Sequence, residues 1–176
     1  MRAFLDISAA GKLVQAEAES EAMEQFANRS DVELVGSMLL ETELRRMAVR
    51  NGFDQADVSD VLDGITLYPF RDSDFMMAGI LPGEMLRSLD ALHIQCALSV
   101  GVDCVVTYDT RMIDACSQVG LVTVQPGANT GANDESVAPA LRRQQDEVLA
   151  DVRASVKDMP PVDYDQLVAD INADRR

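Results

Sequence analysis

The sequence predicts an α/β fold, a mostly parallel sheet with helices packed on both faces. Two observations carry the prediction. Short apolar, β-branched runs of three or four residues alternate with longer stretches of helical periodicity, the pattern that strand–helix–strand units leave in a chain. Each run also stops at a polar or turn residue, and the parallel arrangement then brings right-handed crossovers.

The elements follow in order. Strands are expected at 3–5, 32–35, 65–68, 104–107 and 121–124, the last stopping at Gln125-Pro126-Gly127. A long helix is expected over 8–27, with Leu13, Val14, Met23 and Phe26 as its apolar positions. A second runs over 38–50 on Leu40, Leu44 and Met47, and a third over 54–62 after the Asn51-Gly52 break. The stretch 72–80 ends before Pro82-Gly83, the strongly apolar 86–100 closes at Gly101, and 110–119 closes at Gly120.

Composition sets the limits. The chain has 176 residues, 47% of them apolar, enough for one domain with its own core plus an appendage. No run approaches the ~20 apolar residues of a membrane span, and Asp6 follows the start too closely for a secretory signal. Cys96, Cys104 and Cys116 show no Cys-x-x-Cys spacing and read as reduced, buried thiols of a cytoplasmic protein. The methionines, Met76-Met77 among them, read as packing residues. Net charge is −15; residues 1–127 hold nine basic and twenty acidic groups, net −11. That opposes the usual basic nucleic-acid surface and suits a cation binder.

The character of the chain changes at Pro126. Residues 128–136 are small and polar and read as a flexible linker between a domain at 1–127 and a tail at 137–176. The tail predicts an amphipathic helix over 137–157, a break at Pro160-Pro161 and a short helix over 163–173. It is too poor in apolar residues to form a core alone and needs a partner surface.

Four acids stand where chemistry is expected. In open parallel sheets, ligands bind outside the carboxyl ends of the strands. Asp6 ends the first strand and Asp109 follows the fourth, although either position also suits a helix N-cap. Asp90 shares a helical face with Leu86, Leu89, His93, Ile94 and Ala97, where an acid must be paired, protonated or metal-bound; as a first-turn acid it would also complement the helix dipole. Glu43 lines up with Leu39, Leu40 and Met47, with a surface ion pair to Arg46 or Arg50 as the plainer reading. Together, converging carboxylates call for a hard cation, Mg²⁺ first, able to activate water against a phosphodiester. Ser8 and Thr107 could orient a carboxylate or a metal-bound water, or serve local turns. His93 reads as a satisfied core or interface residue.

These residues resemble a known family. Leu5-Asp6-Ile7-Ser8-Ala9 is similar to the opening motif of PIN domains, VapC-like toxins in particular. The Ser37-to-Glu43 spacing resembles their second motif and selects Glu43 over Glu41. Leu89-Asp90-Ala91-Leu92-His93 resembles the third, and Val106-Thr107-Tyr108-Asp109 with Gly120-Leu121-Val122 and Pro126-Gly127 the close of the domain. Over residues 1–127 the resemblance implies a three-layer fold on a five-stranded parallel sheet. It also implies a Mg²⁺- or Mn²⁺-dependent endoribonuclease with Asp6, Glu43, Asp90 and Asp109 as catalytic and metal-binding residues, a homodimer, RNA as substrate, and an antitoxin of VapB type as partner. Ile7 departs from the Thr common there. Lys12, Arg45, Arg46, Arg50 and Arg111 are the nearest basic residues for an RNA path. Residues 137–176 resemble the toxin-binding part of a VapB-like antitoxin, with Arg175 and Arg176 available to cover the acidic site.

Other readings fit less well. A signalling receiver would need adjacent acids after the first strand and a Lys after the fifth, where Gln125 stands. A phosphatase with an Asp-x-Asp nucleophile fails at Ser8. A non-catalytic PIN-fold interaction module is the remaining alternative.

Overall fold

A computed structural model describes residues 1–128; the linker and tail expectations, Arg175 and Arg176 included, lie outside the described residues. Five strands form one parallel sheet: β1 (Arg2–Leu5), β2 (Glu33–Ser37), β3 (Thr66–Tyr68), β4 (Cys104–Val106) and β5 (Thr123–Val124), ordered β3-β2-β1-β4-β5. Ala3 pairs with Leu34 on one side and Cys104 on the other, so β1 is central.

Alternation along the central strands builds two cores. Ala3 and Leu5 of β1, with Cys104 and Val106 of β4, face one layer. That layer contains α1 (Ile7–Val14), α2 (Ser20–Ala27), α3 (Met38–Asn51) and α4 (Gln55–Asp63), which contribute Ala9, Met23, Leu40, Leu44 and Val58. Phe4 and Val105 face the other layer, with Ile94 and Ala97 of α6 (Ser88–Val100) and Met112 and Cys116 of α7 (Thr110–Gln118). The remaining helix, α5 (Asp72–Gly79), packs on α6. This is the three-layer architecture the sequence predicts. Its topology puts the β1–α1, β2–α3 and β4–α7 junctions at one end of the sheet.

The differences have local causes. The helix expected over 8–27 is two, α1 and α2. Gln15 is extended, the Ser20 hydroxyl donates to the Gln15 carbonyl, and Lys12 folds onto Glu17 and Glu19 across the break. The helix expected from 86 starts at Ser88, because Gly83, at φ 125°, opens a turn closed by the Leu86 amide. Strand β2 continues through Gly36 and Ser37; a Cβ on Gly36 would lie 2.8 Å from the end of the buried Leu40 side chain, which would have to shift to admit it. Met76 and Met77 are exposed to 37% and 40%, contrary to the packing role expected of them. The three cysteines are buried and form no disulfide among the described residues, and burial pushes the Cys96 and Cys116 thiols up to about 11 and about 12. No helix among the described residues is long and apolar enough to cross a membrane.

Candidate active site

Asp6 is the best-held acid. It leaves β1 as the N-cap of α1, accepting the Ala9 amide at 2.9 Å. The Ser8 hydroxyl lies 2.7 Å from Asp6 Oδ1, and the Thr107 hydroxyl lies 2.7 Å from Oδ2. The direction of both bonds follows from their other partners. Ser8 Oγ accepts the Tyr108 amide at 2.7 Å and Thr107 Oγ1 accepts the Asp109 amide at 3.1 Å. Each hydroxyl has one proton, and both protons are left for Asp6. Asp6 is buried, which raises its carboxyl above the ordinary range; the bonds from Thr107, Ser8 and Ala9 oppose that rise. Three donors leave part of its lone-pair capacity open.

Asp109 caps α7 through the Arg111 amide, so both strand-end acids are N-caps as well as residues of the sheet's carboxyl end. The Arg111 guanidinium grips the Asp109 carboxylate with contacts of 2.6 and 3.2 Å and holds its pKa low.

Asp90 stands in the first turn of α6, one turn ahead of buried His93 and Ile94. The apolar face expected around it is only partly there: Leu86 precedes the helix and Leu89 is 47% exposed. Yet Asp90 Oδ2 is buried without a hydrogen-bond partner. Burial raises the Asp90 carboxyl, and the neighbouring charges of Asp109 and Glu43 push it the same way while Arg111 and His93 oppose.

Glu43 on α3 is not paired to Arg46 or Arg50. Its Oε2 lies 2.6 Å from His93 Nε2, and His93 Nδ1 lies 3.1 Å from the Ser37 hydroxyl. Glu41, its competitor in the sequence, is tied to Arg45 on the helix surface. His93 is 1% exposed and satisfied at both ring nitrogens, as a core histidine should be. Its link to Glu43 was not legible in advance; the signal available was its place three residues after Asp90, on the same helical face.

Asp90 thus feels both Asp109 and Glu43 electrostatically, while Asp6 stands at the same end of the sheet. Among the described residues, however, no three His, Cys, Asp or Glu side chains close into a ready metal cage. Carboxylate oxygens suit a hard divalent ion, and the unpartnered Asp90 oxygen is the observation that fits one. Of the expected basic residues, Lys12 is buried, bound to Glu17 and Glu19 and set 4.5 Å over the Tyr108 ring, so it is not available to a ligand. Arg45 and Arg111 are committed to Glu41 and Asp109. Arg46 and Arg50 are exposed and carry no ion pair among the described residues.

Comparison with known proteins specifies the class of this parallel three-layer domain with acids at its strand ends. The model of the PIN domain matches residues 3–117. The chain belongs to the PIN-domain family. Among curated proteins it is similar to Ribonuclease VapC47 of Mycobacterium tuberculosis, 31% identical across 71% of this chain and 97% of the relative. It is also similar to Ribonuclease VapC35 of the same organism, 32% identical across 70% and 96%. The crystal structure of M. tuberculosis VapC20, described as a Sarcin-Ricin loop cleaving toxin, shares the fold with a TM-score of 0.57 at 16% identity. That match covers 70% of this chain and 99% of that one. The relatives are thus matched nearly end to end, while more than a quarter of this chain lies outside each match.

Proposed function

We propose that residues 1–127 are a Mg²⁺-dependent endoribonuclease, with Mn²⁺ as a substitute ion, acting as the toxin of a toxin–antitoxin pair. The observation that carries the reading is Asp90 Oδ2, a buried acceptor with no partner that feels the charges of Asp109 and Glu43. Such an oxygen is costly unless something binds it. Asp6, Glu43, Asp90 and Asp109 would hold the ion. When bound, the ion supplies an activated water and neutralises charge on the phosphodiester. The chain's own residues do the rest. Ser8 and Thr107 keep the Asp6 carboxylate aimed, Arg111 holds Asp109, and Arg46 and Arg50 give an otherwise acidic domain a local attraction for RNA.

The test is cleavage of single-stranded RNA by residues 1–127 with Mg²⁺ or Mn²⁺, compared with Asp6→Asn and Asp90→Asn. Metal-dependent cutting lost in both variants is the expected result. Cutting that persists in them would refute the site.

A homodimer and a VapB-type antitoxin complete the reading, on resemblance. The antitoxin could act in trans or be supplied in cis by residues 137–176, with Arg175 or Arg176 over the acids; a tether of this kind raises local concentration to ~mM. Truncation after Pro126 then raises ribonuclease activity, and an unchanged rate refutes inhibition in cis. The second reading, a non-catalytic PIN-fold interaction module, is favoured by the lack of a ready metal cage among the described residues and by the engagement of Asp109 with Arg111. Absence of cutting by the tail-free domain with either ion would select it.

A further inference from the structure

We infer that Ser37 and His93 form a buried relay that positions the Glu43 carboxylate for the site, and that His93 is therefore a positioning residue. The inference rests on the reading of Glu43 as a metal-site acid given above.

Three observations carry it. Ser37 is the N-cap residue of α3, where a serine hydroxyl ordinarily accepts an amide of the first turn, but its side chain makes no cap bond. It reaches His93 Nδ1 at 3.1 Å instead, across 56 positions of sequence. The opposite ring nitrogen meets Glu43 Oε2 at 2.6 Å. A carboxylate only accepts, so Nε2 carries a proton and donates it to Glu43, while Nδ1 is engaged by the Ser37 hydroxyl. The ring itself is held edge-on by Phe4, centroids 5.9 Å apart at 72°. Phe4 lies two residues before Asp6, and His93 lies three after Asp90. One imidazole thus ties the end of β2, the acid of α3, the acid-bearing turn of α6 and the strand leading to Asp6 into a single rigid unit.

A histidine present only to fill the core would be indifferent to which of the two acids in Glu41-Thr42-Glu43 faced it. Here one acid is taken up by the relay and the other is left to Arg45 on the surface. The bond from Nε2 leaves Glu43 with a second oxygen and fixes its direction, as a histidine or serine behind a metal ligand commonly does.

The test uses the full chain and exploits the fact that it contains a single histidine, so imidazole ¹⁵N and ¹H resonances are unambiguous. Nitrogen spectra are expected to show a proton on Nε2. Glu43→Gln should shift both nitrogens, whereas Glu41→Gln should leave them in place. Calorimetric titration with Mn²⁺ alone should show affinity falling about 10-fold in Ser37→Ala and recovering in Ser37→Thr, with cooperative thermal unfolding establishing that each variant is folded. His resonances indifferent to Glu43→Gln overturn the proposal. So does Mn²⁺ binding equal in wild type and Ser37→Ala. If wild type binds no Mn²⁺ at all, the metal-site reading fails, and the response of His93 to Glu43→Gln still decides whether the relay exists.

Discussion

Asp90→Asn should make the metal-free protein more stable and the metal-bound protein less so. In the native state Asp90 Oδ2 is buried and unpartnered, and Asp109 and Glu43 add like charge. An unsatisfied buried acceptor costs ~1–3 kcal/mol. The dipole of α6 returns ~0.3–1 kcal/mol, since Asp90 sits in its first turn. An amide there still lacks a partner but carries no charge to desolvate or repel, so the replacement should gain about 1 kcal/mol in chelator, a rise of roughly 2–4 °C in Tm. Saturating Mg²⁺ reverses the order. A ligand at 100 times its Kd stabilises wild type by about 2.7 kcal/mol, and Asp90→Asn should keep less than half of that. Urea or thermal unfolding of both proteins, first in EDTA and then with Mg²⁺, reads the crossover. A variant less stable than wild type in EDTA would refute the reading of Asp90 as an unrelieved charge. Equal stabilisation of both proteins by Mg²⁺ would refute its role in holding the ion.

The same comparison has a definite pH dependence. Burial raises the Asp90 carboxyl above 3.8, so between the ordinary and the raised value the native state binds more protons than the unfolded one, and stability falls as pH rises through that window. The advantage of Asp90→Asn in EDTA should shrink toward zero as pH is lowered to about 4 and reach a plateau at neutral pH; a difference independent of pH would contradict this. Asp109 works in the opposite sense. Arg111 holds its pKa down, so its contribution is present above the ordinary carboxylate range and lost as pH falls through the lowered value. Arg111→Ala should thus destabilise at neutral pH and converge on wild type in acid, as followed by urea unfolding. Thr107→Val removes a buried donor to Asp6 and leaves the Asp109 amide without its hydroxyl acceptor. Its expected cost is about 1.5–3 kcal/mol in Mg²⁺-free unfolding, together with slower RNA cleavage. Gly36→Ala places a methyl 2.8 Å from Leu40; a loss of about 1–3 kcal/mol in chemical unfolding is expected.

What the sequence determined by itself was periodic and local. The short apolar runs at Ala3-Phe4-Leu5 and Cys104-Val105-Val106 marked strands, and their ends marked Asp6 and Asp109, because such signals lie within a few residues. What only the tertiary structure decided was long-range. The break between α1 and α2 depends on Lys12 folding onto Glu17 and Glu19, a contact no apolar pattern records. The two hydroxyls on Asp6 come from positions 99 residues apart, and the path from Ser37 through His93 to Glu43 crosses from α3 to α6. Periodicity says which way a side chain points on its own helix. Which polar group meets it depends on how the helices pack across the sheet, and hydrogen-bond direction depends on what each hydroxyl has already accepted. The architecture and two of the acids were therefore legible in the chain, while the orientation of Asp6, the partner of Glu43 and the unpaired oxygen of Asp90 had to wait for the packed molecule.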